Sequence, residues 1–109
     1  MRYDRTMTRI KSDLASSMRK GARKATAALR VMANADRLLL LCELCHAERC
    51  VGELESLLDL HQPTLSQQLA VLRRERLVRT RRSGKRIYYS VADARVGALL
   101  GALQVLYCK

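Results

Sequence analysis

The residues of this chain with the most distinctive chemistry are its cysteines at positions 42, 45, 50 and 108. A cysteine thiolate is a nucleophile toward sulfur and a ligand for soft metals. We expect no secretory leader, and in that setting so few thiols are not typical of a disulfide framework. Because Cys42 lies among leucines, the competing interpretation is a buried thiol that packs as a small hydrophobe and does not react.

The run from Cys42 to His46 has the spacing C-x-x-C-H, which allows three interpretations. This is the attachment motif of c-type haem, but haem is attached to exported proteins, and here the stretch is needed as a core helix. A thioredoxin-like enzyme would use Cys42 and Cys45, but the chain lacks the βαβ pattern of that fold. A zinc site formed by Cys45, His46 and Cys50 remains an alternative, because zinc accepts thiolate and imidazole ligands. We expect no cofactor and no enzymatic activity.

A second group of residues, beginning at Pro63, could bind DNA. Proline favours the first position of a helix, where its missing N–H would have no partner. Leu65, Leu69 and Leu72 recur at helical spacing, so they share one buried face. The opposite face carries short polar side chains and two arginines, which suit base edges and phosphates in a major groove. Taken alone, the same pattern also fits an amphipathic surface helix without a DNA contact.

The segments on both sides of this helix predict a winged helix-turn-helix. Upstream, residues 51–60 predict a short helix, which a tight connection at His61-Gln62 joins to the next one. Its inward positions are Val51, Leu54, Leu57 and Leu58. Downstream, residues 77–82 and 86–91 predict a basic hairpin that turns at residues 83–85, and such a hairpin beside a recognition helix is a wing along a phosphate backbone. The residues predicted to contact DNA are Gln62, Thr64, Ser66, Gln67, Gln68, Arg73, Arg74, Arg79, Arg81, Arg82, Lys85 and Arg86.

The domain organisation follows from these elements. Residues 1–11 are expected to form a mobile basic arm. Residues 12–109 are expected to form one winged helix-turn-helix domain, which is mainly α with a small β-hairpin. We expect Asp36 to cap the second helix and Asp93 to cap a last helix that reaches Tyr107 or Cys108.

The first and last helices are predicted to form a homodimer. The first helix spans about Ser12 to Val31, and its inward positions, like those of the last helix, make a wide apolar stripe. A core of this size cannot cover both stripes, so each helix is expected to pair with its symmetry mate. The apolar positions are Leu14, Met18, Ala22, Ala25, Ala28 and Leu29 in the first helix and Leu99, Leu100, Leu103 and Leu106 in the last.

The charge of the chain indicates a polyanionic partner. It has 21 Lys and Arg against 10 Asp and Glu, a formal net charge of +11, and double-stranded DNA is the partner that the motifs favour. A non-specific architectural DNA-binding protein has the same charge and remains an alternative of another class. No apolar run is long enough to span a membrane, so we expect a cytoplasmic protein without a membrane partner.

With the helix order, the wing and the run N-A-D-R-L-L-L-L at residues 34–41, the chain resembles the ArsR (arsenical-resistance repressor) family of dimeric bacterial repressors. The resemblance spans roughly residues 25–108 and is most specific over residues 51–73. The cysteine in Leu-Leu-Cys-Glu-Leu and the final Leu-Tyr-Cys are similar to those of the biofilm-growth-associated and sulfide-responsive repressors. This resemblance implies that Cys42 and Cys108 form a reactive pair, that reactive sulfur species are the inducer, and that sulfide-oxidation genes are regulated.

The metal-binding motifs of the same family are incomplete in this chain. Metal sensors often carry Cys-x-Cys at the start of the first helix of the helix-turn-helix, whereas here Cys50 is followed by Val51 and Gly52. Others carry Asp and His ligands along the last helix, where this chain has only Asp93. A repressor induced by arsenite, zinc or another thiophilic metal remains the alternative to persulfide sensing.

Overall fold

The structure is a computed structural model that describes the backbone of residues 5–108 and the side chains of residues 13–108. It divides into two compact units, one up to Arg30 and one from Val31 onward. The helices are α1 (Arg5–Met32), α2 (Ala35–His46), α3 (Val51–Leu58), α4 (Thr64–Arg74) and α5 (Ala94–Tyr107), and the strands are β1 (Arg49–Cys50), β2 (Val78–Ser83) and β3 (Arg86–Val91).

Helix α1 is a single amphipathic helix of 28 residues. It begins at Arg5 rather than near Ser12, so it includes most of the segment that the sequence predicted as an arm. The remaining residues of that arm lie outside the described residues, and the division into arm and domain stays a prediction. The predicted inward side chains Leu14, Met18 and Leu29 are 56%, 65% and 46% exposed in the single chain.

Helix α2 begins with a cap that the sequence analysis placed wrongly. The N-cap is Asn34, whose side-chain oxygen accepts a hydrogen bond from the Arg37 N–H at 3.1 Å. Asp36 lies instead in the first turn, where its carboxylate is favoured by the positive end of the helix dipole. Asparagine and aspartate are about equally good caps, so residue type alone did not distinguish the two positions.

The core of the second unit is a cluster of leucines from four helices. Leucine side chains are flexible enough to interdigitate from several directions, and each fully buried one contributes about 1.5–3 kcal/mol of transfer free energy. The predicted inward face of α4 is confirmed, because all three of its leucines are buried. Leu57 was predicted to face inward but is 52% exposed, since α3 is short and buries only Leu54 fully. The fully buried leucines are Leu40, Leu41, Leu54, Leu65, Leu69, Leu72 and Leu100.

The predicted hairpin is confirmed, and it belongs to a three-stranded antiparallel sheet of order β1-β3-β2. The hairpin turns at Gly84, whose φ of +61° is readily adopted by glycine. Strand β1 pairs Arg49 with Tyr89 and Cys50 with Tyr88. The sequence analysis missed β1 because two residues are too few to show a period-2 pattern.

Helix α5 begins and ends where the sequence predicted. The Asp93 side chain caps it by accepting from the Arg95 N–H at 2.8 Å. Val96 and Leu100 are buried, whereas Val105, Leu106 and Tyr107 are 77%, 68% and 80% exposed. Among the described residues, no helix is both long enough and apolar enough to cross a membrane.

Candidate DNA interface and thiol pair

Helix α4 presents a polar face because its three leucines anchor the other side in the core. Thr64, Ser66 and Gln67 are exposed in its first turns, and Arg73 and Arg74 are exposed at its end. The helix dipole makes the first turn favourable for a phosphate, and the arginines add positive charge where the dipole becomes negative. The helix therefore carries both groups of the kind that can read base edges and groups of the kind that can hold phosphates.

The start of α4 is organised by Gln62. Its side-chain oxygen accepts from the Ser66 N–H at 3.2 Å and also accepts from the Ser66 hydroxyl. The cap position is Pro63, which has no side-chain acceptor, so Gln62 satisfies one of the free N–H groups of the first turn. In the free protein, these two predicted DNA contacts are hydrogen-bonded to each other.

The two adjacent glutamines of α4 have different environments. Gln67 is exposed, whereas Gln68 is half-buried, and its side-chain oxygen accepts from Arg37 Nη1 at 3.1 Å. The same guanidinium donates from Nε to the Val31 carbonyl at 2.6 Å. Arg37 therefore ties α4 to the start of α2, and the side-chain oxygen of Gln68 already accepts one hydrogen bond. The sequence analysis treated the two glutamines alike because both lie on the polar side of the helix.

An open groove runs between α4 and β3. It has a volume of about 460 Å³, and its lining includes Ser66, Arg73, Arg74 and Tyr89. Sequence reasoning did not assign Tyr89 to the interface. The signal that could have found it is the strand alternation, which puts Tyr89 on the same sheet face as Arg82 and Ile87.

The tip of the wing carries exposed cations near Gly84. Arg82, Lys85 and Arg86 are all exposed, and Arg82 Nε donates to the Gly84 carbonyl at 3.3 Å. The pKa of Arg86 is raised, mainly by a side-chain hydrogen bond with Tyr88. The tip thus keeps its positive charges available for phosphate oxygens.

The base of the wing is different, because Arg81 is already paired. Its guanidinium donates two hydrogen bonds to the Glu48 carboxylate, at 3.1 and 3.0 Å, and lies over the Tyr88 ring at 5.1 Å from the centroid. The pair lowers the pKa of Glu48 and raises the pKa of Arg81. Arg81 is opposite Tyr88 in the hairpin, so this cluster fastens both strands to the segment just before β1. The side chain predicted to contact a phosphate at Arg81 therefore already has a partner in the protein, in an ion pair on the surface.

Cys42 and Cys108 lie on neighbouring helices, and both contact Gln104. The Gln104 side-chain amide donates to the Cys42 carbonyl at 3.4 Å, and the Cys108 N–H donates to the Gln104 carbonyl at 2.9 Å. Cys42 is half-buried in α2, and Cys108 is exposed at the end of α5. Both cysteines are free thiols. Gln104, one helical turn before Cys108, thus links α5 to the backbone of α2 at Cys42.

The other two cysteines do not form the alternative zinc site. Cys45 and His46 are exposed at the end of α2, whereas Cys50 is buried and its N–H donates to Glu53 Oε1 at 3.0 Å. Among the residues whose side chains are described, no group of three or more His, Cys, Asp or Glu is arranged to hold a metal ion. The pKa of the Cys45 thiol is raised, first by partial burial and second by Cys42, which disfavours its thiolate.

A helix-turn-helix with an exposed polar second helix and a basic hairpin defines the winged helix-turn-helix class of DNA-binding regulators. The chain belongs to the arsR family of bacterial regulatory proteins, whose model matches residues 34–80. It is 45% identical over 92 residues to the biofilm growth-associated repressor of Agrobacterium fabrum, covering 84% of this chain and 79% of that one. It is also 45% identical over 92 residues to the transcriptional activator HlyU of Vibrio cholerae, covering 84% and 85% of the two chains.

Solved structures lead to the same family. The transcriptional repressor BigR of Xylella fastidiosa superimposes with a TM-score of 0.81 at 40% identity, covering 87% of this chain and 97% of that one. The regulator HlyU of Vibrio vulnificus gives a TM-score of 0.81 at 42% identity, covering 86% and 98%. These relatives are transcriptional regulators, so the interpretation of the C-x-x-C motif as a thioredoxin-like enzyme is wrong.

Proposed function

We propose that this protein is a homodimeric transcriptional repressor that releases its operator when a hydropolysulfide or persulfide oxidises Cys42 and Cys108. The observation that supports this proposal is the hydrogen bond from the Gln104 side chain to the Cys42 carbonyl, which joins α5, one turn before Cys108, to α2. A bond between two residues so distant in the chain would tie α2 of the core to α5. The regulated genes are proposed to be those for sulfide oxidation, as the resemblance to sulfide-responsive repressors implies.

The chemistry requires only thiols and the inducer. One cysteine thiolate attacks a sulfur of the hydropolysulfide and displaces hydrosulfide or a shorter polysulfide, which leaves a cysteine persulfide. The second thiolate attacks the inner sulfur of that persulfide and expels hydrosulfide, so a disulfide forms. The two thiols are oxidised by two electrons, and the polysulfide is reduced. If the first cysteine carries a chain of several sulfur atoms, the second thiolate can attack a sulfur further along that chain, and extra sulfur atoms then remain in the bridge.

The exposure of the last turn of α5 supports the homodimer. Val105, Leu106 and Tyr107 are all more than two-thirds exposed in the single chain, which is costly unless another surface covers them. Two recognition helices that read half-sites about 34 Å apart must keep a fixed spacing. Because α5 carries both the dimer contact and Cys108, a bridge to Cys42 would change that spacing and weaken operator binding.

The test compares reduced protein with protein treated with sodium tetrasulfide, following intact mass and operator binding in parallel. In the wild type, we expect a mass change of two hydrogens lost plus one sulfur for each inserted atom, together with loss of operator affinity. Cys42→Ser and Cys108→Ser should each keep operator binding after treatment. Cys45→Ser is the matched control, because Cys45 lies on the same helix as Cys42, and it should respond like the wild type.

Three results would contradict this proposal in different ways. If Cys42→Ser or Cys108→Ser still releases DNA normally, the proposed pair is not the sensor. If the reduced wild type binds a random duplex as tightly as any candidate operator, the protein is an architectural DNA-binding protein and not a repressor. Release by arsenite or Zn²⁺ but not by tetrasulfide would assign the response to metals.

A further inference from the structure

Helix α1 has a continuous basic face. At about 100° per residue, its cationic side chains between residues 19 and 30 fall within an arc of about 140°. Leu14, Met18 and Leu29 fall within about 60° on the opposite side. The cationic side chains are all exposed. We call them the basic face of α1: Arg19, Lys20, Arg23, Lys24 and Arg30.

No acidic side chain of residues 13–108 forms a salt bridge with this face. Among the residues whose side chains are described, none of its members forms a salt bridge, whereas Arg49, Arg81 and Arg95 elsewhere in the chain each do. Asp13 is the one acidic residue in the sequence of α1. The basic face thus differs from an ordinary solvated helix surface, on which charges of both signs alternate.

The spacing of the cations works against the stability of the helix. Arg19 and Arg23 are four residues apart, as are Lys20 and Lys24, and like charges at that spacing repel each other on a helix. Helix stability therefore does not account for the pattern. An anionic partner would, because bound phosphates would replace the repulsion with attraction.

We propose that the basic face of α1 binds the sugar-phosphate backbone of DNA. This proposal rests on the proposed DNA-binding function. From Arg19 to Arg30 the face extends about 16 Å, which is the length of about five base pairs. The family model covers residues 34–80, which lie outside the basic face of α1. A lipid surface is less favoured, because interfacial helices use Trp, Phe and Leu, and residues 13–32 contain no aromatic side chain.

The test uses the full chain with four changes on the basic face: Arg19→Gln, Lys20→Gln, Arg23→Gln and Lys24→Gln. Operator affinity is measured as a function of salt concentration. We expect affinity near physiological salt to fall at least about tenfold, and the slope of log affinity against log salt to decrease by between about 2 and 7, since each lost phosphate contact removes about 0.9. Discrimination between operator and random DNA should not change, because phosphate contacts carry no sequence information.

Two control variants preserve both the helix and its positive charge. Ser16→Gln with Ser17→Gln changes the same helix without removing charge, and Arg19→Lys with Arg23→Lys keeps the charge; both should retain the wild-type slope. Circular dichroism and light scattering should show wild-type helix content and oligomeric state for all variants.

An unchanged salt slope in the folded four-residue variant would overturn this inference while leaving operator binding intact. Absence of operator preference in the wild type would instead overturn the proposed function. If the wild type sediments with vesicles of phosphatidylglycerol and phosphatidylcholine and the variant does not, while their DNA slopes are equal, the basic face binds a lipid surface and our inference is wrong.

Discussion

The recognition helix α4 and the wing both carry side chains that the sequence predicts to contact DNA, but the structure engages them in different ways. In α4 the engaged groups are held by hydrogen bonds to amide oxygens: the Gln62 oxygen accepts two from Ser66, and the Gln68 oxygen accepts one from Arg37. In the wing, Arg81 is held by two charge-assisted bonds and an aromatic ring. Charge-assisted bidentate pairs are the stronger kind. We therefore expect DNA to replace the hydrogen bonds of the α4 side chains more easily than the bonds that hold Arg81.

We therefore propose that the wing is divided into a tip that binds DNA and a base that positions the hairpin. The tip cations lie beside the turn at Gly84, where the hairpin ends. The Glu48–Arg81–Tyr88 cluster connects the segment before β1 with β2 and β3, so it limits the directions in which the hairpin can point. The number of arginines in a hairpin thus overestimates its number of phosphate contacts.

The largest effect is expected at the tip. Arg82→Ala with Lys85→Ala removes four cations from the proposed dimer, so affinity for every DNA sequence should fall on the order of 100-fold. The salt slope should decrease by up to about 4, because each phosphate contact contributes about 1. Fluorescence anisotropy at several salt concentrations measures both quantities. A loss restricted to one operator base would contradict the assignment of the tip to phosphates.

The second largest effect is expected at the two adjacent glutamines of α4. Gln67→Ala should weaken binding to the operator by about tenfold and leave binding to random DNA unchanged, since a good base contact contributes about 1–3 kcal/mol of discrimination. Gln68→Ala is the matched comparison, and we expect a smaller loss of discrimination with a lowered melting temperature, because Arg37 loses its partner. Equal effects of the two substitutions on discrimination would remove the distinction drawn from their burial.

A charge exchange tests the base of the wing. Arg81→Glu should weaken DNA binding severalfold, because it places two carboxylates together at Glu48 and releases the hairpin. Adding Glu48→Arg should restore most of the affinity, since the pair is rebuilt with the opposite polarity. Arg81→Ala should weaken binding only a few-fold and leave the salt slope unchanged. If Arg81→Ala lowers the slope by about 2 in the dimer, Arg81 is a phosphate contact after all.

The smallest effect is a pH dependence of stability. Arg81 lowers the pKa of Glu48 below its ordinary value of 4.5. A carboxylate whose pKa is lower in the folded state stabilises the protein above its unfolded pKa, and this contribution is lost as the pH falls through the folded pKa. The melting temperature of the wild type should exceed that of Glu48→Gln at pH 7, and the difference should shrink below about pH 4.5. Asp93 and Glu53 have lowered pKa values too, so only the comparison with Glu48→Gln isolates this pair. If the difference in melting temperature stays constant with pH, Glu48 does not stabilise the protein through its charge.

Local patterns in the sequence were sufficient to predict the helices, the hairpin and the family. The leucines of α4 recur at helical spacing, the hairpin strands flank a glycine turn, and Asp93 caps α5, and each of these is a short-range feature set by backbone and side-chain geometry. Patterns failed where two neighbouring residues were chemically equivalent, as with Asn34 and Asp36. They also failed where an element was too short to have a period, as with β1.

The tertiary structure decided which polar side chains are free. Gln68 is engaged by Arg37, which is distant in the chain, and Arg81 is engaged by Glu48. The sequence determined the types and order of the groups that can bind DNA or react with sulfur, because those are properties of single residues and short spacings. Their partners were determined only by folding, because hydrogen bonds and ion pairs form between side chains that the chain brings together from different elements.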